Sequence, residues 1–546
     1  MKKLILISLL WSVSLTGFAT AYYINPEKGM KGNSGESMDK PLKSLFEIRK
    51  LRLKPGDQVL LANGYIFKGS LCLEGLGGTS NKRIVISNYV SPEKAVKQLP
   101  LIDAKGEEQG IFLGDCSYIT ISNIRVKANG GKMPEGKSPM RCGVLVKSNT
   151  SGKYSGIKLV NLTITDVFLM EKGHQRGKKE AFTPNGTQGY GWGIRVLNTI
   201  EGSRMEDLIV KECTIQNVAH TGIKVNGKKN TIKNLVIANN KVTKTGGPGI
   251  QMSGILDGHI YHNIVNFSGD KNDSRKWGRG SGLWTWNCDR VLIEHNQFRN
   301  AKGPADSAGC HIDFNCSNVI VQYNISENNA GGFCEILGNN YNCAYRYNVS
   351  INDGYRVKQK GVASQEGKIF WLSGFNGKDK KHKGPYNSYF YNNTIYVKEG
   401  ITPKIAVNRA AKGVLIANNI FCFEESGKQV LGDQYKPEVA GEVLVENIIF
   451  KNNLYLKAEN WPIETPIQDE APIIGNPRFK NNEGKTINDF VPKNRNLVKG
   501  RAIQIKAIPE DKKGLYLGFE MEKDILGRSI IGTADLGAIQ LPNKSK

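Results

Sequence analysis

One short phrase recurs from about residue 115 to 455: an alternating apolar run that ends in Asn or a small residue and leads into a β-rich tail. It reads Ile-Thr-Ile-Ser-Asn123, Ile-Lys-Leu-Val-Asn161, Leu-Ile-Val-Lys-Glu-Cys213 and Leu-Val-Ile-Ala-Asn-Asn240. It continues as His-Ile-Tyr-His-Asn263, Val-Leu-Ile-Glu-His-Asn296, Val-Ile-Val-Gln-Tyr-Asn324 and Ala-Tyr-Arg-Tyr-Asn348, with later copies ending at Asn393, Asn419 and Asn453. From Cys213 onward the copies lie between 23 and 45 residues apart. That is too irregular for a helical solenoid, and long segments of 3.6 period are lacking. Alternation with period two sends every second residue into a narrow interior, and Asn at the corners tolerates the left-handed backbone of a tight turn. The pattern therefore predicts coils of short strands, each laid parallel to the last at ~4.8 Å, with equivalent positions forming columns. Repetition also sets the domain organisation: one principal core over 116–455, a cap with the first coils over 22–115, and a closing segment over 456–546.

Several segments resemble a known group. Lys54-Pro55-Gly56-Asp57-Gln58-Val59, Gly78-Thr79 followed by Arg83-Ile84-Val85-Ile86, and Leu101-Ile102-Asp103-Ala104 are similar to the opening of the right-handed parallel β-helix proteins of bacterial polysaccharide breakdown. The tail Asp535-Leu536-Gly537-Ala538-Ile539 is similar to their closing segment. The resemblance spans nearly the whole chain and implies an all-β, right-handed parallel β-helix. It says less about activity, because glycoside hydrolases, polysaccharide lyases and non-catalytic proteins share the scaffold. Leu42, Leu45, Phe46, Ile48 and Leu51 form an amphipathic pattern over Leu42 to Leu53, which predicts a capping helix over the first coil.

Lys2 and Lys3, the apolar run Leu4 to Leu15 and the small-residue pattern Ala19-Thr20-Ala21 have the layout of a secretory signal over residues 1–21. A protein secreted or delivered to the periplasm is expected, acting as a monomer and not inserted in a membrane. The formal net charge is +25. Such an excess concentrates polyanions; for an exported protein that points to an acidic polysaccharide rather than nucleic acid, the alternative being a general lysine bias without bearing on ligands. The ten cysteines lack the spacing of a zinc site or a small disulfide scaffold. Stacked buried thiols are the expected reading, although export permits disulfides.

A second phrase precedes the Asn phrase and starts with Gly: Gly193-Ile-Arg-Val-Leu, Gly222-Ile-Lys-Val-Asn, Gly249-Ile-Gln-Met-Ser, Gly282-Leu-Trp-Thr-Trp and Gly309-Cys-His-Ile-Asp. Residues one and three after Gly should face the core, and those two and four after it should face out. One outward column then reads Arg195, Lys224, Gln251, Trp284, His311, and its neighbour Leu197, Asn226, Ser253, Trp286, Asp313. The next coil, Gly331-Gly332-Phe333-Cys334-Glu335, brings Glu335 close to His311 and Asp313. A purely structural sheet face favours Thr, Val, Ser and Lys, so two Trp, a His and several carboxylates together mark a candidate site.

Trp284 and Trp286 offer faces for sugar rings, or stack simply within the sheet. Arg195 and Lys224 could hold a carboxylate or sulfate, or be solvated surface charges. Asp306, His311, Asp313 and Glu335 form the densest ionisable cluster. The insertion between about 168 and 190 carries Lys172, Arg176, Lys178 and Lys179 with Phe182 and Tyr190, and Trp192 follows it; it is either a substrate grip or a solvated loop. Tyr355, Arg356 and Lys358 would extend the basic rim, with Arg356 beside Asn226 and Gln251 as a substrate contact.

Three functions suit these residues. A polysaccharide lyase cleaving a uronic-acid, glycosaminoglycan-like chain by β-elimination must neutralise a carboxylate and place a base. Arg195 and Lys224 would supply the charge, Lys224 or His311 the base, and Tyr323 or Tyr355 a proton. The resemblance to chondroitinase B and similar alginate lyases, which use Lys and Arg on neighbouring coils with calcium, implies a calcium site at Asp313 and Glu335. A glycoside hydrolase would instead use two carboxylates from Asp306, Asp313 and Glu335. A non-catalytic glycan-binding protein would need only Trp284 and Trp286. Of the three, the sequence favours the lyase by a modest margin.

Overall fold

The computed structural model describes residues 19–130, 140–175, 191–358, 365–430, 446–463 and 469–543. Its strands gather into three sheets of 16, 12 and 14 strands among the described residues. Each coil contributes one strand to each sheet in turn, and every strand pairs in parallel with the strand one coil away. The result is the expected parallel β-helix, with side chains alternating between a dry interior and the outer faces.

The 12-stranded sheet carries the Gly phrase, and the inward registers are those expected. Ile194, Ile223, Ile250, Leu283, Cys310 and Cys334 succeed one another in one column, and Val196, Val225, Met252, Thr285, Ile312 and Ile336 in the next. All are buried. The ten cysteines are free thiols, nine of them buried.

The corner built from the Asn phrase differs from expectation. From Asn240 onward the recurrent Asn faces inward. Asn240, Asn263, Asn296, Asn324, Asn348, Asn393, Asn419 and Asn453 form a buried ladder in which each amide donates to the next side-chain oxygen at 2.9–3.0 Å. Asp469 ends the ladder. The left-handed backbone belongs to the preceding residue, Asn239, His262, His295, Tyr323 or Tyr347. Only in the early coils, at Asn123 and Asn161, is the Asn itself left-handed. A buried ladder Asn satisfies a corner N–H that the strand hydrogen bonds miss, which explains its recurrence better than turn preference does.

The N-terminal helix is one turn, Leu45–Ile48, closed by a Ser44–Glu47 capping box. The expected helix over Leu42 to Leu53 shrinks because Leu42 is drawn into a bridge with Ile24, and the chain turns extended before Pro55. Leu42, Leu45 and Ile48 still seal the core. At the other end, the C-terminal segment runs back along the 16-stranded sheet. Asp511 there accepts from Asn342 at 2.8 Å and from the Tyr389 hydroxyl, and the Gly518 carbonyl accepts from Arg346 at 2.6 Å. The signal segment up to Leu15 and the insertion residues Arg176, Lys178, Lys179, Phe182 and Tyr190 lie outside the described residues.

Candidate active site

The outward columns align as expected. Arg195 pairs with Lys224, Lys224 with Gln251, Gln251 with Trp284, Trp284 with His311, and His311 with Glu335. Trp371, a position the sequence reading missed, continues the column beyond Glu335. In the second column Leu197, Asn226, Ser253 and Trp286 are in register. Asp313 extends it, because its N–H still bonds to Thr285 at 2.9 Å just past the end of the strand Ala308–Ile312.

The face is less open than expected. Trp286 is 38% exposed, but His311, Asp313, Glu335 and Trp371 are buried. The loop before Ala308–Ile312 folds back over the sheet through left-handed backbone at Asp306 and Ser307, a conformation that must be held from outside. Arg356 holds it. Its guanidinium donates to the carbonyls of Gly303 (2.9 Å), Asp306 (3.1 Å) and Gln365 (2.7 Å). Gln365 in turn accepts the Asp306 N–H at 3.0 Å. Gly331 makes room, since a Cβ there would stand 1.9 Å from the Asp306 carbonyl. Arg356 is thus buried and committed to backbone, so the expectation that it contacts substrate on a basic rim gives way to a part in positioning Asp306.

The ionisable groups fall into contrasting states. Asp306 is largely buried, which opposes ionisation, but the Arg279 guanidinium 2.8 Å away and the nearby Arg356 bring its carboxyl below the ordinary value. Asp313 is also buried, has no cation against it among the described residues and feels the Asp306 charge; the Phe314 N–H at 2.8 Å offsets this only in part. Its carboxyl is pushed up to about 8. Burial lowers His311 to about 4, with Asp306 opposing and Arg279 assisting. The imidazole is therefore neutral, within 3.1 Å of the Ser281 hydroxyl and 3.5 Å of the Glu335 carboxylate, and stacked on Trp284 at 5.2 Å. Burial and the adjacent Arg195 bring Lys224 down to about 7.

Arg279 and Ser281 were not foreseen. They lie in the segment between the strands Ile264–Ser268 and Leu283–Trp286, which has no periodicity to read. Its only signal is the clustering of Arg275, Lys276, Trp277 and Arg279, all of them buried. Trp277 stacks on His220 at 4.5 Å, and Arg275 grips Asp273 and the Met170 carbonyl.

Two expectations are not supported by this geometry. Tyr323 lies on the 16-stranded sheet side, where its hydroxyl donates to the Lys523 carbonyl at 2.6 Å, so it is no proton donor for this site. Tyr355 sits half-buried beside Arg356, its phenol raised by burial. Calcium takes six to eight oxygen ligands. Among the described residues no group of three or more His, Cys, Asp or Glu gathers to hold a metal, so Asp313 and Glu335 are joined by no third such ligand.

The sequence model for the right-handed β-helix region matches residues 193–370, the stretch that carries these columns. A lacto-N-biosidase of Bifidobacterium longum subsp. longum is 23% identical over 627 residues, an alignment that takes in 97% of this chain and 37% of that protein. The chain therefore spans little more than a third of the length of this relative. Among solved structures, XylC in complex with xylose superposes with a TM-score of 0.50 at 11% identity, covering 96% of this chain and 99% of that one. A lacto-N-biosidase from Eubacterium ramulus superposes with a TM-score of 0.48 at 20% identity, covering 84% and 68%. The likeness to XylC is one of fold, and the fold is a right-handed parallel β-helix.

Proposed function

We propose that this protein is a glycoside hydrolase that works with Asp306 and Asp313. The observation that carries this reading is that two carboxyls, brought within electrostatic reach of one another at opposite ends of one strand, are held in opposite protonation states. Such a pair is what acid-assisted cleavage of a glycosidic bond requires. Asp313, protonated at neutral pH, gives its proton to the leaving oxygen. Asp306, kept ionised by Arg279, supports the anomeric carbon from the other side, as nucleophile or as base for water. Neutral His311 and Glu335 line the recess, and Trp284 and Trp286 offer stacking faces to the sugars. The name of the Bifidobacterium relative, a hydrolase of glycans, agrees with this assignment. Export through the Lys2-to-Ala21 segment belongs to the same proposal.

A second reading, β-elimination on a uronic-acid glycan, is favoured by one observation. Lys224 at about 7 could act as a base beside Arg195 as carboxylate neutraliser. It leaves the Asp306–Asp313 contrast without a task. Separate Asp306→Asn and Asp313→Asn variants decide between them: each should lose release of reducing ends by about a thousandfold or more. Turnover surviving in either variant would exclude the carboxylate pair.

A further inference from the structure

On both sides of His311 the outward column carries polar atoms that the fold leaves unpaired. Trp284 stands one strand before His311 and Trp371 two strands after it. Both indole N–H groups are buried and meet no acceptor among the described residues. Trp371 is 4% exposed, so its N–H is shut off from bulk solvent. Further toward the N-terminal coils, Gln251 Oε1 and, in the neighbouring column, Asn226 Oδ1 are buried acceptors without donors among the described residues. Gln251 and Trp284 are paired on adjacent strands, yet the acceptor of one and the donor of the other do not meet.

An apolar surface runs beside these atoms in the second column. Trp286, 38% exposed, meets Phe314 edge-on at 5.9 Å, and Phe314 meets Phe375 edge-on at 5.8 Å. Phe314 follows Asp313 in the chain, so this surface continues past the proposed acid.

Unpaired buried polar atoms cost stability, and folded proteins keep few of them. Here they are strung along one face, before and after the proposed catalytic strand. A sugar supplies what they lack: hydroxyls that both donate and accept, on a ring whose apolar side suits Trp286 and Phe314.

We infer that Trp371 contacts a sugar on the C-terminal side of the cut, across from Trp284, Gln251 and Asn226 on the N-terminal side. The enzyme therefore cuts a glycan within its chain and does not clip a terminal sugar. Gln251 and Trp371 stand four strands apart in the column, or ~19 Å at the strand spacing. Only an oligosaccharide bridges that span. The inference rests on the hydrolase reading of Asp306 and Asp313 and names its substrate class, an extended chain held on both sides of the bond.

Binding and product size test it separately. The full chain carrying Asp313→Asn is run through native gels cast with xylan, hyaluronan, alginate or pectin. It is then titrated calorimetrically with short and long oligosaccharides of the polysaccharide that retards it most. Long chains should bind about tenfold or more tightly than short ones. Adding Trp371→Phe, which keeps a ring and removes the N–H, should weaken long-chain binding about tenfold at an unchanged melting temperature. Gln251→Leu should do the same from the other side, and Phe314→Leu gives a second reading of the C-terminal side if Trp371→Phe melts early. With the wild-type enzyme, the viscosity of that polysaccharide should fall before reducing ends accumulate. The inference is overturned by a lack of retardation in every gel, or by release of one small product from the outset. It is equally overturned by long-chain affinity that ignores Gln251→Leu, or that ignores both Trp371→Phe and Phe314→Leu. If turnover survives Asp306→Asn and Asp313→Asn while both sides still count in binding, the catalytic reading fails and the two-sided groove stands. If turnover is lost in both but Trp371→Phe and Phe314→Leu are silent, the catalytic reading stands and the two-sided groove fails.

Discussion

The Arg279 guanidinium donates to the Asp306 carboxylate at 2.8 Å, with the two side chains 1% and 13% exposed. This contact is the largest influence holding the Asp306 carboxyl below its ordinary value against burial, which raises it. Arg279→Ala should lower kcat/KM by about a hundredfold or more and move the acidic limb of the pH profile upward, since the carboxyl then ionises only at higher pH. Arg279→Lys should recover part of both effects. An unshifted acidic limb would show that Arg279 has only a packing role.

Asp313 sets the alkaline limit. With its carboxyl at about 8, activity should fall as pH rises through that value. Stability follows the same group with a definite sign. Its folded value lies above the ordinary 3.8, so the stability tied to the neutral carboxyl is complete below pH 3.8 and is lost as pH rises toward 8. Asp313→Asn, neutral throughout, should match the wild-type melting temperature near pH 4 and exceed it increasingly up to pH 8. Thermal melts across this range check it.

Trp286 is exposed on the groove, whereas Trp284 stacks on His311 at 5.2 Å. Trp286→Ala should raise KM about tenfold while leaving kcat and melting temperature nearly unchanged. Trp284→Ala should lower kcat as well, because the His311 ring loses its support. Steady-state kinetics on both variants separate the two roles.

Asn324 receives hydrogen bonds from Asn296 and gives them to Asn348, Ile293 and Gln322 inside the core. Asn324→Ala leaves several of these groups unpaired and should destabilise the fold by about 2–4 kcal/mol, measured as a lower urea midpoint at unchanged slope.

The columns were legible because alternation with period two fixes which residues share a face, and the Gly phrase fixes their register. Arg195, Lys224, Trp284, His311 and Glu335 fall in line for that reason. The corner was misread: Asn is common in left-handed turns, and the sequence does not reveal that Asn324 points inward while Tyr323 takes the turn. Arg279 and the buried role of Arg356 were hidden because both lie in non-repeating connections, where position depends on which carbonyl or carboxylate a long side chain reaches. The contrast between Asp306 and Asp313 was hidden for the same reason, since it rests on the guanidiniums of Arg279 and Arg356 beside the one and on burial of the other.

The most direct test of hydrolysis by the carboxylate pair is to incubate the protein with a panel of neutral, uronic-acid and sulfated glycans, following reducing ends and ultraviolet absorbance of unsaturated uronides together. Reducing ends that appear without absorbance, and vanish in Asp306→Asn and Asp313→Asn, are the result this account predicts. Absorbance that rises with cleavage, persists in Asp306→Asn and is lost in Lys224→Met would contradict it and establish β-elimination instead.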